Sequence, residues 1–94
     1  MKKKENTIRI KELIDSGEFN SGTLWTGEKW ERPNTRDINQ IRSMIPMTDI
    51  ALANLLDVDE RTIRKWKTGE TRMVFTTWCC LCLLATEINI LEFK

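Results

Sequence analysis

Four cationic side chains are grouped within seven positions of the chain, a density that suits contact with a polyanion. They are Arg61, Arg64, Lys65 and Lys67. The whole chain has 15 basic and 14 acidic residues and a net charge of +1, so its total charge does not favour an anionic partner. Any attraction to phosphate groups therefore has to come from this local cluster.

An α-helix through residues 59–68 would separate these cations from the neighbouring apolar side chains. With Glu60 at zero and about 100° per residue, Ile63 and Trp66 fall near 300° and 240°. The opposite side, at roughly 40° to 140°, holds Arg61, Arg64, Lys65 and Thr68. The pattern predicts a helix that packs on a core through Trp66 and presents cationic side chains on its other face. A solvated helix face without a binding role is the alternative.

The acids just ahead of the cations have a structural explanation. Asp59 is expected to cap the exposed backbone N–H groups of this helix, and Glu60 lies in the first turn, where the helix dipole favours an anion. Asp57 falls in the preceding bend, where a left-handed backbone is expected, and Asp tolerates that conformation better than most residues. Gly69 is expected to end the helix.

Two helices are predicted ahead of this segment from the spacing of isoleucines and leucines. The helix in residues 35–45 has Thr35 as its expected N-cap and Pro46 just past its end. The helix in residues 48–56 has Thr48 as its expected N-cap. Its side chains expected to face inward are Leu52, Leu55 and Leu56. A break of about three residues then separates this helix from the cationic one, as in a helix-turn-helix.

Residues 75–88 predict a last helix that is largely buried, because it is apolar on most of its surface. It contains all the cysteines of the chain, Cys79, Cys80 and Cys82. Their odd number and close spacing indicate reduced thiols in a cytosol, and a structural role is expected rather than a metal or redox site. The longest weakly polar run has about 13 residues, fewer than the roughly 20 of a membrane span.

The N-terminal third is predicted to be an irregular extension. Residues 1–6 are expected to form a mobile charged tail, residues 7–17 a short helix, and residues 17–34 a loop with tryptophan anchors. Lys2, Lys3 and Lys4 either contact phosphates or stay solvated. The C-terminal residues 88–93 are either a strand or a last helical turn, and either pack on their own core or form a dimer interface.

The tryptophans of the predicted loop leave two interpretations open. Trp25 and Trp30, with Lys29 and Arg32, could form an arm that enters a groove or stacks on bases. The same side chains could instead plug the loop onto a small core.

Histidine is absent, which removes the commonest general base and a frequent metal ligand. No glycine-rich phosphate loop and no convergent pair of acids is recognisable. We therefore expect neither an enzyme nor a cofactor nor a metal site.

The stretch "MTDIALANLLDVDERTIRKWKTGE", residues 47–70, resembles the Cro/repressor-type (XRE) helix-turn-helix of the lambda repressor-like superfamily. The residues that match this motif are Thr48, Ala53, Leu56, Val58, Thr62, Ile63, Trp66 and Gly69. With the flanking helices, the resemblance covers over half of the chain. A weaker likeness, in the "W…RP" segment and the last helix, is to short regulators of phages and mobile elements.

The resemblance implies roles for individual side chains. The positions that reach base edges are matched by Glu60, Arg61, Arg64 and Lys65. At such positions an arginine can contact guanine with two hydrogen bonds, and Glu60 can accept one from a cytosine amino group. The residues expected to contact or attract phosphates are Thr48, Thr62, Lys67, Thr68 and Arg72.

Two positions depart from the family pattern. The family often has Gln where this chain has Asp49, and a carboxylate there would repel a phosphate unless a basic residue pairs with it. The usual glycine of the turn is replaced by Asp57, which matters less because Asp tolerates a left-handed backbone.

The resemblance implies an all-α, lambda repressor-like domain of four to five helices. We expect an extension in residues 1–34, a helix-turn-helix domain in residues 35–86 and a tail in residues 87–94. The expected function is that of a cytoplasmic, sequence-specific regulator of transcription. A homodimer would occlude a promoter by binding double-stranded DNA at a palindromic operator, with half-sites about 34 Å apart. The alternative is a protein-interaction adaptor or antitoxin that reuses the same fold.

Overall fold

Periodic apolar residues and well-placed caps build five α-helices in residues 2–92, the part of the chain that this computed structural model describes. The helices are α1 (Lys3–Asp15), α2 (Thr35–Ser43), α3 (Asp49–Leu56), α4 (Glu60–Thr68) and α5 (Phe75–Ala85). Two short 3₁₀ helices, Ser21–Leu24 and Gly27–Lys29, lie between α1 and α2. Residues 2–92 contain no strand, so the predicted all-α class with four to five helices is confirmed.

Side-chain caps begin α2, α3 and α4. Thr48 and Asp59 cap α3 and α4 as predicted. The predicted N-cap of α2, Thr35, is wrong by one residue. Asn34 is the cap: its side chain accepts from the backbone N–H of Asp37 at 2.8 Å, and the carboxylate of Asp37 accepts from the backbone N–H of Asn34 at 3.3 Å. This reciprocal pair needs an acceptor three residues after the cap, which Thr35 lacks.

The turn between α3 and α4 has the predicted length and backbone shape. Asp57 ends α3 in the left-handed region, with φ at 56°. Gly69 ends α4 in the same way, with φ at 84°. Because a three-residue turn joins them, α3 and α4 pack directly on each other.

One hydrophobic core receives side chains from all five helices. Its fully buried members include Ile10, Leu13, Ile41, Leu52, Ile63 and Trp78. The side chain of Asn6 on α1 also donates a hydrogen bond to the backbone carbonyl of Ala85, at 2.8 Å. The core therefore extends across the predicted boundary between residues 34 and 35.

Two predictions about helices need correction. The charged tail predicted for residues 1–6 is wrong for its described part, because α1 already begins at Lys3. Leu55 does not face inward: its exposed fraction is 56%, whereas that of Leu52 is 0%. The core face of α3 lies between Leu52 and Ala53, and Leu55 is rotated about 110° away from its centre.

The segment between α1 and α2 is held by its aromatic side chains. Trp30 packs edge-on against Phe75 at the start of α5, with 5.3 Å between the ring centroids. The indole N–H groups of Trp30 and Trp78 both donate to the backbone carbonyl of Thr23. Trp30 therefore plugs this segment onto the core, whereas Trp25 is 56% exposed.

After α5 the chain forms neither the predicted strand nor a further helical turn over residues 88–92. The backbone N–H of Glu92 closes a turn on the carbonyl of Asn89, at 3.1 Å. Ile90 is buried in the core of its own chain, while Leu91 is half exposed. Phe93 and Lys94, the end of the predicted tail, lie outside the described residues.

The apolar helix α5 is buried as predicted, with Trp78, Leu81 and Ala85 almost fully covered. Cys79 and Cys82 are also buried, and burial, reinforced by the neighbouring thiol, raises the pKa of both. Residues 2–92 contain no group of three or more potential metal ligands. In the same range, no helix has both the length and the apolar character needed to cross a bilayer.

Candidate functional site

The cationic helix α4 has two distinct faces, as its residue spacing predicts. Ile63 and Trp66 have exposed fractions of only 1% and 6% and anchor one face in the core. On the other face, the side chains of Arg61 and Arg64 are 74% and 57% exposed, and Lys65 is exposed as well. Packing of α4 on α2 and α3 holds this cationic face outward.

A shallow depression lies along the exposed face, with a volume of about 350 Å³. It is lined by Arg61, Arg64, Lys65, Thr68 and Glu70. The structure thus brings together four of the residues predicted for the site. Glu70 was not predicted; its carboxylate accepts a hydrogen bond from the hydroxyl of Thr68 at 3.3 Å, which directs the acid onto the cationic face.

Within residues 2–92, the arginines of this face make only surface ion pairs. The guanidinium of Arg64 donates to Glu60 at 3.2 Å, across one helical turn. The guanidinium of Arg61 lies 3.8 Å from the carboxylate of Asp59. Exposed pairs of this kind contribute little to stability, about 0 to 1 kcal/mol. A dense row of phosphates or a base edge can therefore compete for both arginines. Because Glu60 already holds Arg64, binding through either side chain would break this pair.

Lys67 lies apart from the depression. Its ammonium group donates to the carboxylate of Asp49 at 3.0 Å, and its side chain is 31% exposed. The sequence contains a signal for this difference, since Lys67 falls at about 340° on the helix projection, outside the cationic sector.

Asp49, the acid in the first turn of α3, is fully paired. Besides Lys67, it accepts two hydrogen bonds from the guanidinium of Arg42, at 2.7 and 3.0 Å. Burial acts to raise the pKa of Asp49, but the hydrogen bonds and charges of Lys67 and Arg42 outweigh burial and lower it. Asp49 is therefore a charge-compensated carboxylate, and its expected repulsion of a phosphate is largely cancelled.

Three further residues predicted to meet phosphates lie outside the depression. Thr48 is exposed at the start of α3, where its hydroxyl accepts from the backbone N–H of Ala51 at 3.1 Å. Thr62 is half-buried on α4, and Arg72 is exposed in the linker between α4 and α5. Some of the residues predicted to contact DNA therefore line the depression, and the others lie outside it.

The sequence did not reveal two residues of α2 that support α4, one through Asp49 and one directly. Arg42 pairs with Asp49, and the side chain of Asn39 donates to the backbone carbonyl of Lys67 at 3.1 Å. The need for a base beside Asp49 was a signal for Arg42, although the chain offers many bases. Asn39 has no comparable signal, because only the packing of α2 on α4 makes this contact.

Most side chains that line the depression are cationic or polar and suit the binding of an anion. Guanidinium and ammonium groups attract phosphates, and a guanidinium can also read a guanine edge.

Comparisons of the chain with protein-family models, with curated proteins and with solved structures find no match.

Proposed function

We propose that the protein binds double-stranded DNA by placing the exposed face of α4 in the major groove. The main support for this proposal is that α4 has one buried apolar face and one exposed cationic face. Ile63 and Trp66 are buried, while the opposite face exposes Arg61, Arg64 and Lys65. The major groove is about 12 Å wide and admits one α-helix. α4 suits this groove because its buried face is fixed to the core and its exposed face carries long cationic side chains.

In this arrangement Arg61 and Arg64 contact guanine edges, while Lys65 contacts a base or a phosphate. Glu60 accepts from a cytosine amino group when Arg64 leaves it. Phosphate contacts come from Thr48, Thr62 and Thr68, with general attraction from Arg72.

The resemblance of residues 47–70 to a Cro/repressor-type helix-turn-helix gives this binding a role. We propose a cytoplasmic regulator that represses transcription by covering a promoter. Its palindromic operator would be bound by a homodimer, with α4 of each copy in successive major grooves. Leu83 on α5 and Leu91 after it are 38% and 50% exposed, and we propose that they contribute to the dimer interface.

The first test is duplex binding measured by fluorescence anisotropy, with DNA from upstream of the protein's own gene and a scrambled duplex. We expect tighter binding to the first, with affinity falling steeply between about 50 and 200 mM salt. Arg64→Ala should weaken binding to the preferred duplex by about 1–3 kcal/mol, and Lys65→Ala should reduce the salt dependence by about one counterion.

Lys11→Ala is the matched control, because Lys11 is an exposed cation on α1. It removes the same charge and should change neither quantity. A footprint and the mass in solution would test symmetry and dimerisation in the same preparation. Equal loss of binding in Lys11→Ala and Lys65→Ala would contradict the assignment to α4.

A second candidate function is supported by α3. Ile50 and Leu55 on this helix are 61% and 56% exposed, so each leaves apolar surface that a protein partner can cover. In that case the chain is an adaptor or an antitoxin. A protein that ignores duplex DNA at low salt, and whose capture of a partner is abolished by Ile50→Lys and not by Lys65→Ala, would favour this candidate.

A further inference from the structure

We infer that Lys67 is a positioning residue: it fixes the end of α4 on α3 through Asp49 and makes no phosphate contact of its own. The inference rests on the proposed DNA binding by α4 and reverses the role that the family resemblance implies for this lysine. On this inference Asp49 supports DNA binding by anchoring Lys67, and does not merely repel phosphate.

Two helices hold the last turn of α4 at this one residue. The ammonium group of Lys67 donates to Asp49 in the first turn of α3, at 3.0 Å. The backbone carbonyl of Lys67 accepts from the side chain of Asn39 on α2, at 3.1 Å. Because the two contacts come from different helices, they restrict both the tilt and the rotation of α4.

Asp49 is itself held in place, so it can act as a fixed support. The guanidinium of Arg42 bonds to its carboxylate and also donates to the backbone carbonyls of Ile45 and Met47, at 3.2 and 2.7 Å. These carbonyls belong to the linker between α2 and α3. Arg42 therefore joins α2, the linker and Asp49 into one hydrogen-bonded unit, and Lys67 attaches α4 to that unit.

Moving Lys67 to a phosphate would break this arrangement. The side chains of Lys67, Asp49 and Arg42 are 31%, 26% and 14% exposed, so their charges are less screened than those of surface pairs. Departure of Lys67 would leave Asp49 with a single partner beside an approaching phosphate. Arg61, Arg64 and Lys65 are far more exposed, and reaching DNA breaks at most a surface ion pair.

Positioning and phosphate contact predict different effects on DNA binding. A lysine that contacts phosphate contributes about 0.9 to the slope of log affinity against log salt concentration. A lysine that only positions α4 contributes nothing to this slope. Its loss lets the base-reading side chains shift, so the ratio of preferred to scrambled binding falls, by about tenfold for one disturbed base contact.

The experiment measures this slope and this ratio for the full chain and four variants. Lys67→Gln should leave the slope unchanged and lower the ratio about tenfold, while Lys67→Arg should preserve both. Asp49→Asn releases Lys67 towards the DNA, so its slope should become steeper by about 0.9 while the ratio falls. Lys65→Gln is the control for a contacting lysine and should make the slope shallower by about 0.9.

A shallower slope for Lys67→Gln, equal to that of Lys65→Gln, would overturn the inference. If the unaltered protein binds no duplex at any salt concentration, the proposed function fails instead. Hydrogen exchange then tests positioning by itself. The amides in the last turn of α4 should exchange faster in Lys67→Gln and Asp49→Asn than in Lys65→Gln, and equal rates would overturn the positioning role.

Discussion

Trp30 and Trp78 share one hydrogen-bond acceptor, the backbone carbonyl of Thr23, which lies 3.0 Å from each indole nitrogen. Trp30 precedes α2, whereas Trp78 is on α5, so the shared carbonyl ties the N-terminal segment to the last helix. Thr23 is completely buried, and a buried carbonyl without a donor is costly. The two indoles therefore support each other's role in holding residues 20–30 on the core.

A double-mutant cycle measures this coupling. We expect Trp30→Phe and Trp78→Phe each to lower the free energy of unfolding by about 1–2 kcal/mol, because one donor to the carbonyl remains. The double variant should lose more than the sum, by a further 1 kcal/mol or so, because the carbonyl is then unsatisfied. Urea unfolding followed by circular dichroism gives the values. Trp25→Phe, at an exposed position, is the control, and strict additivity would rule out the shared-acceptor explanation.

Acid should destabilise the protein partly through Asp49. Because the pKa of Asp49 is lowered from its ordinary value of 3.8, its stabilising effect is complete above that pH and is lost as the pH falls through the lowered value. At pH 7 we expect Asp49→Asn to be less stable than the unaltered protein by about 1–3 kcal/mol. The difference in the free energy of unfolding between the two proteins should decrease steadily below pH 3.8. Urea unfolding at several pH values checks this, and a gap independent of pH would contradict it.

The turn before α4 can be stabilised at Asp57. Its φ of 56° is left-handed, a conformation that glycine adopts without steric cost. We expect Asp57→Gly to raise the free energy of unfolding by about 0.5 kcal/mol and Asp57→Ala to lower it by about 1 kcal/mol. Asp57→Asn, which tolerates the same backbone, controls for the loss of charge and should change stability little. Thermal unfolding measures all three, and a destabilising glycine would contradict the expectation.

The cysteines should differ sharply in reactivity. Cys80 is exposed, whereas Cys79 and Cys82 are buried and the pKa of each thiol is raised. Because the thiolate is the reactive form, a maleimide should modify Cys80 alone in the folded protein at pH 7. Mass spectrometry counts the added groups, and all three cysteines should react in denaturant. Prompt labelling of Cys82 without denaturant would show that α5 opens more easily than its burial indicates.

Local features were readable from the sequence alone. The length of the turn before α4, the caps at Thr48 and Asp59, and the opposite faces of α4 depend on neighbours within about one helical turn. Such local features can be predicted from residue spacing without knowing the rest of the fold. The same reasoning failed at Leu55, because which sector of an apolar helix is covered depends on where the other helices lie.

Contacts between distant residues were decided by the tertiary structure. Lys67 and Asp49 are 18 positions apart, and Thr23 and Trp78 are 55 apart. The spacing of residues along one helix does not reveal which distant charge or carbonyl group will lie beside a side chain once the helices pack. For that reason the sequence by itself determined the helices and the cationic face of α4. Only the packed chain decided which cation of α4 pairs with α3, which acid borders the depression, and that α1 shares the core.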